Sequence, residues 1–388
     1  MLKLKTALLA SAVALTATAA FAQEPVRIGV ITTLSTPAGY IGEDVRDALN
    51  LAIGDDGKLG NTPVTLEIED DGLKPANAKQ SADRMVQSGV KLVTGTIFSN
   101  VLAAIQPAVV ESGGIYVSIN PGPSSFAGAK CNKNYFVTSY QNDAFHETAG
   151  LSANDLGYKR MVILAPNYQA GRDALEGFKR TFKGEVAEEI YTNLNQTDFS
   201  VELARVRSAA PDAIYQFHPG GAGINFAKQY AGAGLRDSVP MLVPAFSLDA
   251  QTLKATGDAA DGVYASALWS PELDNETSRD FVTRFEAAYG RTPTLYAEQT
   301  YDAANLIATA LNAVGGDLSK IDEFRAAMLK VDIQSTRDKW TFGPNQHPIN
   351  SYYLTRYEKG EDGQIKQNIV KRIAENYGDV YAKDCKMD

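Results

Sequence analysis

The chain has 388 residues, 44% apolar and 21% charged, a composition that excludes disorder and low complexity and a length that suits two domains with buried cores. Its 46 acidic residues outnumber its 37 basic ones, giving a formal charge of −9. That sign is wrong for a chain that must track nucleic-acid phosphates or anionic lipid, so neither is an expected partner.

At the N-terminus, Lys3 and Lys5 precede an apolar run, Ala7 to Leu15, that fades through small residues into Ala20-Phe21-Ala22. This pattern predicts a secretory signal peptide, residues 1–22, cleaved after Ala22. The run is well short of the about 20 apolar residues that a spanning helix needs. Export makes the cysteine count informative. Only Cys131 and Cys385 are present, an oxidising compartment permits them to pair, and one disulfide is expected, with two buried free thiols as the alternative.

From Val26 onward, short β-branched runs alternate with amphipathic stretches. Strands are expected at Val26 to Ile31, Val64 to Glu69, Leu92 to Thr96, Ile115 to Ile119, Met161 to Ala165, Ala213 to Phe217 and Val263 to Ser266. Helices are expected near Glu43 to Ile53, Pro75 to Gln87, Val101 to Glu111, Ala144 to Leu156, Ala170 to Thr181, Phe199 to Ser208 and Ile224 to Ala233. Such alternation predicts parallel, doubly wound α/β sheets. So many strands would make one sheet unusually wide, so two Rossmann-like lobes are expected. No Pro/Ser-rich linker separates two halves, which suggests that the chain crosses between lobes several times and that the junction is a multi-stranded hinge.

Signals for catalysis are sparse. The three histidines, His146, His218 and His347, are scattered, and His146-Glu147 lacks the second histidine of a zinc-protease motif. No G-x-S-x-G elbow or phosphate-binding P-loop occurs. Gly220, Gly221 and Gly223 open a helix after a strand, which suits either an anion at backbone amides or simply a tight turn. Glu69, Asp70 and Asp71 read as a solvated turn rather than a metal cluster. No cofactor or metal is implied, and binding without chemistry is the expected class.

Several segments together resemble the type I periplasmic solute-binding proteins of branched-chain-amino-acid-type ABC transporters. They are Ile28-Gly29-Val30 with Thr36-Pro37-Ala38-Gly39-Tyr40-Ile41-Gly42, Val93-Thr94-Gly95 with Ser99, Asn120-Pro121-Gly122-Pro123-Ser124, Asn167 to Asp173 and Tyr296 to Ala304. The resemblance spans about Pro25 to Tyr381. It implies residues 23–140 with 267–345 as one lobe and 141–266 with 346–388 as the other. Three crossovers are then expected near Tyr140 to Asn142, Ser266 to Leu268 and Pro344 to Tyr352.

The resemblance also implies a small carboxylate in the cleft, held by Ser99, Ser124 and the backbone of Gly122. The residues agree for Ser99, which follows a strand and precedes a helix, where free N–H groups favour an anion; a capping serine is the alternative. Tyr168 and Tyr296 match aromatic residues that close over the ligand. Tyr40 or Ile41 falls at the mouth, and Phe217 and His218 fall where a second-lobe strand end meets the cleft. There His218 meets a ligand hydroxyl or serves the structure.

At Val243-Pro244-Ala245-Phe246, amino-acid-binding relatives carry an acid for the ligand's ammonium, whereas Ala245 or Phe246 stands at that place here. An uncompensated buried ammonium would cost several kcal/mol. The pattern, with Cys131 and Cys385, resembles the subgroup that binds aromatic acids, which implies benzoate or a hydroxybenzoate as ligand. An inner-membrane ABC permease is the implied partner, and the chain is expected to act as a monomer in the periplasm. The competing readings are an amino-acid-binding protein of the same family, with Asp249 meeting the ammonium, a sensory binding protein, and an exported enzyme.

Overall fold

The computed structural model describes residues 24–387, so the expected leader and its cleavage point after Ala22 lie outside the described residues. The first lobe is built on β1 (Val26–Thr32), β2 (Lys58–Leu59), β3 (Thr62–Asp70), β4 (Leu92–Thr94), β5 (Ile115–Ser118) and β6 (Tyr135–Val137), in the order β2-β3-β1-β4-β5-β6. All neighbours are parallel except β2 with β3. Residues 28–32 of β1 are all buried, as expected of a strand covered on both faces. The connections hold α1 (Gly39–Ile53), α2 (Pro75–Gln87), α3 (Ser99–Glu111) and α4 (Ser124–Ala127). Helix α2 begins at Pro75, where the missing N–H costs nothing.

After β6 the chain crosses to the second lobe through α5 (Asn142–Asp155). It continues as β7 (Arg160–Pro166), α6 (Gln169–Thr181), β8 (Glu185–Thr192), α7 (Ser200–Ala209), β9 (Ala213–Gln216), α8 (Gly221–Gly232), β10 (Met241–Pro244), α9 (Ala250–Thr256) and β11 (Tyr264–Ala267). It then returns to the first lobe with α10 (Glu276–Tyr289), α11 (Leu295–Val314) and α12 (Ile321–Met328), where the Tyr289 hydroxyl donates to the Asp47 carbonyl. A last crossing leads through β12 (Thr341–Phe342) into β13 (Pro348–Lys359) and β14 (Ile365–Tyr377). The second sheet runs β12-β13-β11-β10-β9-β7-β8, with β14 paired to β13.

One expectation needs correction, because the second sheet is mixed rather than parallel: β13 is antiparallel to β11, and β14 to β13. Strand β14 carries charges along a largely solvated edge and so lacks the continuous apolar run of a strand covered on both faces. Along β7 the side chains alternate between two cores. Met161, Ile163 and Ala165 join the cluster that runs through the first lobe and under α5, while Val162 and Leu164 join a second cluster on the opposite face of the sheet. No helix among the described residues is long and apolar enough to cross a membrane.

Cys131 and Cys385 form the expected disulfide, closing a sequence separation of 254 with the Cα atoms 5.6 Å apart. It ties the tail beyond β14 to the segment after α4. The Tyr381 hydroxyl donates to Asp143 at 2.7 Å, and Asn345 Nδ2 donates to both the Ala127 carbonyl and Asp379. Cross-links of this kind stabilise small proteins by about 2–4 kcal/mol. Alkylation of the oxidised protein under denaturing conditions is expected to modify neither thiol, reduction to expose both, and Cys131→Ala to lower the melting temperature by several degrees; two thiols alkylated without reductant would exclude the bond.

Candidate functional site

Where the lobes face each other, Ile97, Phe98, Ser99, Asn120, Pro121, Tyr140, Asn142, His146, Tyr168, Ala170, Phe217, Pro219, Phe246 and Tyr296 enclose a cavity of about 20 Å³. That is room for about one water, so the lobes are drawn together here and must part to admit a larger solute. Strand ends β4 and β5 deliver the first-lobe wall, α5 the junction, and β7, β9 and β10 the second-lobe wall.

The polar end is organised by Asn142, the first residue of α5. Its Nδ2 donates to Ser99 Oγ at 3.2 Å and to Asp173 at 2.9 Å, while its Oδ1 accepts the Gly122 N–H at 3.0 Å. Because Ser99 Oγ is already an acceptor, its own O–H is free to donate, and it has no other partner among the described residues. Ser99 is the first residue of α3 after Phe98 and makes no capping bond. Its backbone N–H therefore belongs to the unpaired amides at the positive end of the helix dipole.

The apolar end is a set of rings. Phe246 stacks on Tyr140, with centroids 5.6 Å apart, and meets Phe217 edge to face at 5.3 Å. His146 lies 5.2 Å from the Phe217 ring and touches the Tyr215 hydroxyl through Nδ1. Burial pushes its pKa down to about 3, so the imidazole is neutral. Burial likewise raises the phenols of Tyr140, Tyr168 and Tyr296 above their ordinary value, and each is pushed further by a neighbouring charge or phenol. They remain hydrogen-bond donors at neutral pH.

Of the residues proposed from sequence, Ser99, Tyr168, Phe217, Phe246 and Tyr296 line this cavity, and five others lie elsewhere. Gly122 is packed against the crossover, where a Cβ would stand 2.2 Å from the Tyr140 carbonyl oxygen. Ser124 is committed to Asp173 through both its hydroxyl, at 2.7 Å, and its N–H, at 3.1 Å. His218 turns into the second core, stacked on Phe226 with its ring nitrogens on Thr192 and Gln216. Ile41 is core. Tyr40 reaches across the mouth and donates to Asp249 at 2.7 Å.

Asn142 and His146 are the functional candidates that sequence reading passed over. The expected start of the helix at Ala144 left Asn142 outside it, so the pairing of the two on one face, four residues apart, was hidden. Of the acidic trio read as a solvated turn, Asp71 is buried instead and accepts from Thr33, while Asp70 accepts from the Leu34 and Gly72 amides and Glu69 from Ser81 and Arg84. Gly220, with φ of 61°, makes the tight turn into α8.

A larger groove, about 740 Å³, runs between α9, α10 and the β13–β14 turn, with Lys254, Asp258, Glu272, Arg291 and Lys366 on its walls. Unlike the small cavity, whose lining among the described residues holds no acidic or basic side chain apart from the neutral His146, this groove is charged along its walls.

A profile of the family described as "Periplasmic binding protein" matches residues 25–364. The chain belongs to this family. It is of the type I class of the branched-chain-amino-acid ABC-transporter superfamily, whose members bind solutes in the periplasm and do not catalyse. The Leu/Ile/Val-binding protein homolog 6 of Brucella melitensis biotype 1 is 28% identical over 391 residues, covering 97% of this chain and 98% of that one. A solute-binding protein of an ABC transporter from R. palustris, solved with benzoate, is 31% identical with a TM-score of 0.88, covering 94% of this chain and 100% of that one. An ABC transporter substrate-binding protein from Sphaerobacter thermophilus is also 31% identical, with a TM-score of 0.85 and coverage of 92% and 100%.

In this binding protein the closed jaws bury Asp249, whose pKa rises to about 6 because burial outweighs the donors from Thr252, Tyr40 and Gln251. A carboxyl raised in the folded state contributes stability below its ordinary value near 3.8 and loses it as pH rises through about 6. Asp249→Asn keeps the α9 cap but cannot titrate. Between pH 7.5 and 5 the parent is therefore expected to gain on the order of 1 kcal/mol over the variant in denaturant unfolding. A constant difference would place the Asp249 pKa at its ordinary value.

Proposed function

We propose that this binding protein captures a small aromatic carboxylate of the benzoate or hydroxybenzoate class in the cleft between its lobes and presents it to an inner-membrane ABC permease, acting as a periplasmic monomer after cleavage behind Ala22. One observation carries the reading: among the described residues, the cavity is lined by six aromatic rings, one neutral histidine and no acidic side chain. The Ser99 hydroxyl, the free amides of α3 and the phenols of Tyr168 and Tyr296 supply donors for a carboxylate. Hydrogen bonds to a charged group contribute about 1.5–3 kcal/mol each. Flanking rings add about 0.5–1.5 kcal/mol per aromatic pair. The benzoate complex of the R. palustris relative supports the same class.

The name of the Brucella relative favours a second reading, a branched-chain amino acid. An α-ammonium needs a counter-charge in so buried a place. Asp249, the acid that would supply it, does not line the cavity and is occupied by Tyr40 and by the amides of Gln251 and Thr252.

After unfolding and refolding to strip carried-over solute, a thermal-shift screen is expected to show stabilisation by benzoate and hydroxybenzoates but not by leucine or valine; at one hundred times Kd the gain is about 2.7 kcal/mol. A response to leucine or valine alone would overturn the reading. In calorimetric titration, Ser99→Ala is expected to weaken benzoate about ten-fold while the melting temperature of the free protein stays within a few degrees; unchanged affinity would remove Ser99 from the site.

A further inference from the structure

Resting on the aromatic-acid reading, we infer that His146 selects among such acids: it presents an Nε2–H donor to the cavity and favours ligands whose ring carries a hydrogen-bond acceptor, a hydroxyl foremost, about one helical turn from the carboxylate. Asn142 and His146 lie four residues apart on α5 and both line the cavity, so they share a face about 6 Å apart along the axis. Asn142 sits against Ser99 at the carboxylate end. His146 therefore stands where the far side of a benzene ring comes to rest, between the rings of Phe217 and Phe246.

The hydrogen-bond accounting fixes the tautomer. His146 Nδ1 contacts the Tyr215 hydroxyl, and that hydroxyl has no other partner among the described residues. Were Nδ1 protonated, it would donate to the phenolic oxygen and leave the buried O–H of Tyr215 without an acceptor, the costly arrangement for a buried polar group. With Tyr215 donating to Nδ1, both groups are satisfied and the imidazole proton sits on Nε2. Nε2 has no protein partner among the described residues and, unlike the enclosed orphan atoms of the core, keeps contact with the cavity. Apart from the Tyr168 phenol and the Asn142 amide, which is already bonded to Gly122, Ser99 and Asp173, it is the polar side-chain group that the second lobe offers to the ligand. A plain benzoate leaves this donor unmet, a 4-methyl group covers it with carbon, and a phenolic oxygen satisfies it.

The test is calorimetric titration of the refolded full-length mature protein with benzoate, 4-methylbenzoate, 3-hydroxybenzoate and 4-hydroxybenzoate. At least one hydroxybenzoate is expected to bind about ten-fold tighter than both benzoate and 4-methylbenzoate. His146→Phe is expected to collapse that ratio to about two-fold, and Tyr215→Phe, which releases the tautomer, to reduce it. Independently of any variant, ¹⁵N NMR of labelled histidine is expected to show His146 protonated on Nε2. A parent protein indifferent to the hydroxyl, a preference that survives His146→Phe, or protonation on Nδ1 would each overturn the role of His146 while leaving the aromatic-acid reading standing. Absence of binding by all four acids would overturn both.

Discussion

The side chain of Asn142 holds the two lobes in their present relation. It follows the first crossover, heads the buried helix α5, and meets three partners from separate parts of the fold: the Gly122 amide, the Ser99 hydroxyl and the Asp173 carboxylate. Its backbone N–H adds a bond to the Gly122 carbonyl at 2.8 Å. A buried amide must satisfy its donors and acceptor at once, so all three partners are fixed in position when this one is. Asp173 in turn takes both donors of Ser124 across the cleft, and Tyr40 reaches Asp249 on the other side of the mouth. The contacts that close the jaws and those that orient Ser99 thus share atoms. A solute engaging Ser99 therefore touches the same network that closure requires, which is how a ligand obtains differential affinity for one conformation.

This coupling explains which parts of the molecule were legible in the sequence. Strands β1, β4, β5, β7 and β9 are buried on both faces and show as apolar runs, and α2 is marked by Pro75. Phe217 was visible because it closes a readable strand, whereas Tyr168, Phe246 and Tyr296 were marked by the family resemblance rather than by a readable element. Ser124 and Gly122 belong to the same motif as the cavity residues Asn120 and Pro121, yet they face the hinge; a motif fixes the neighbourhood, and tertiary bonds decide which side chains face inward. His218 shows the same limit, since its position beside Phe217 at a strand end placed it near the cleft while period-two alternation turned it into the opposite core. Nothing local marks Asn142 or His146, because their value comes from what the crossover brings to them. The β13–β14 hairpin was hidden for a different reason: its outer strand is an exposed edge whose charged residues blunt pairing with other chains.

The character of the cavity follows from where charge is absent. The acids engaged by Asn142 and Tyr40, Asp173 and Asp249, are both consumed by donors that bridge the lobes. Phe246 closes the apolar end and is held there by the rings of Tyr140, Phe145 and Phe217. Replacing that ring with a carboxylate would leave both a hole in the ring cluster and a buried charge with no partner. On the aromatic-acid reading, the packing and the ligand class are therefore one choice.

An anion in this cavity meets no arginine or lysine among the lining residues, and the chain as a whole carries a formal charge of −9. Long-range attraction cannot gather it, and at physiological ionic strength the repulsion is screened beyond about 8 Å. What remains is short-range: the unpaired amides at the start of α3, the Ser99 O–H and protonated phenols, all preorganised by packing before the ligand arrives. Dipoles of this kind lose force quickly with distance and gain it when water is excluded, so they hold an anion only after the jaws shut. Binding by dipoles instead of ions makes the affinity largely indifferent to salt and strongly dependent on closure. A transport protein needs that combination, because reopening the cleft then suffices to release the solute with no buried ion pair to break.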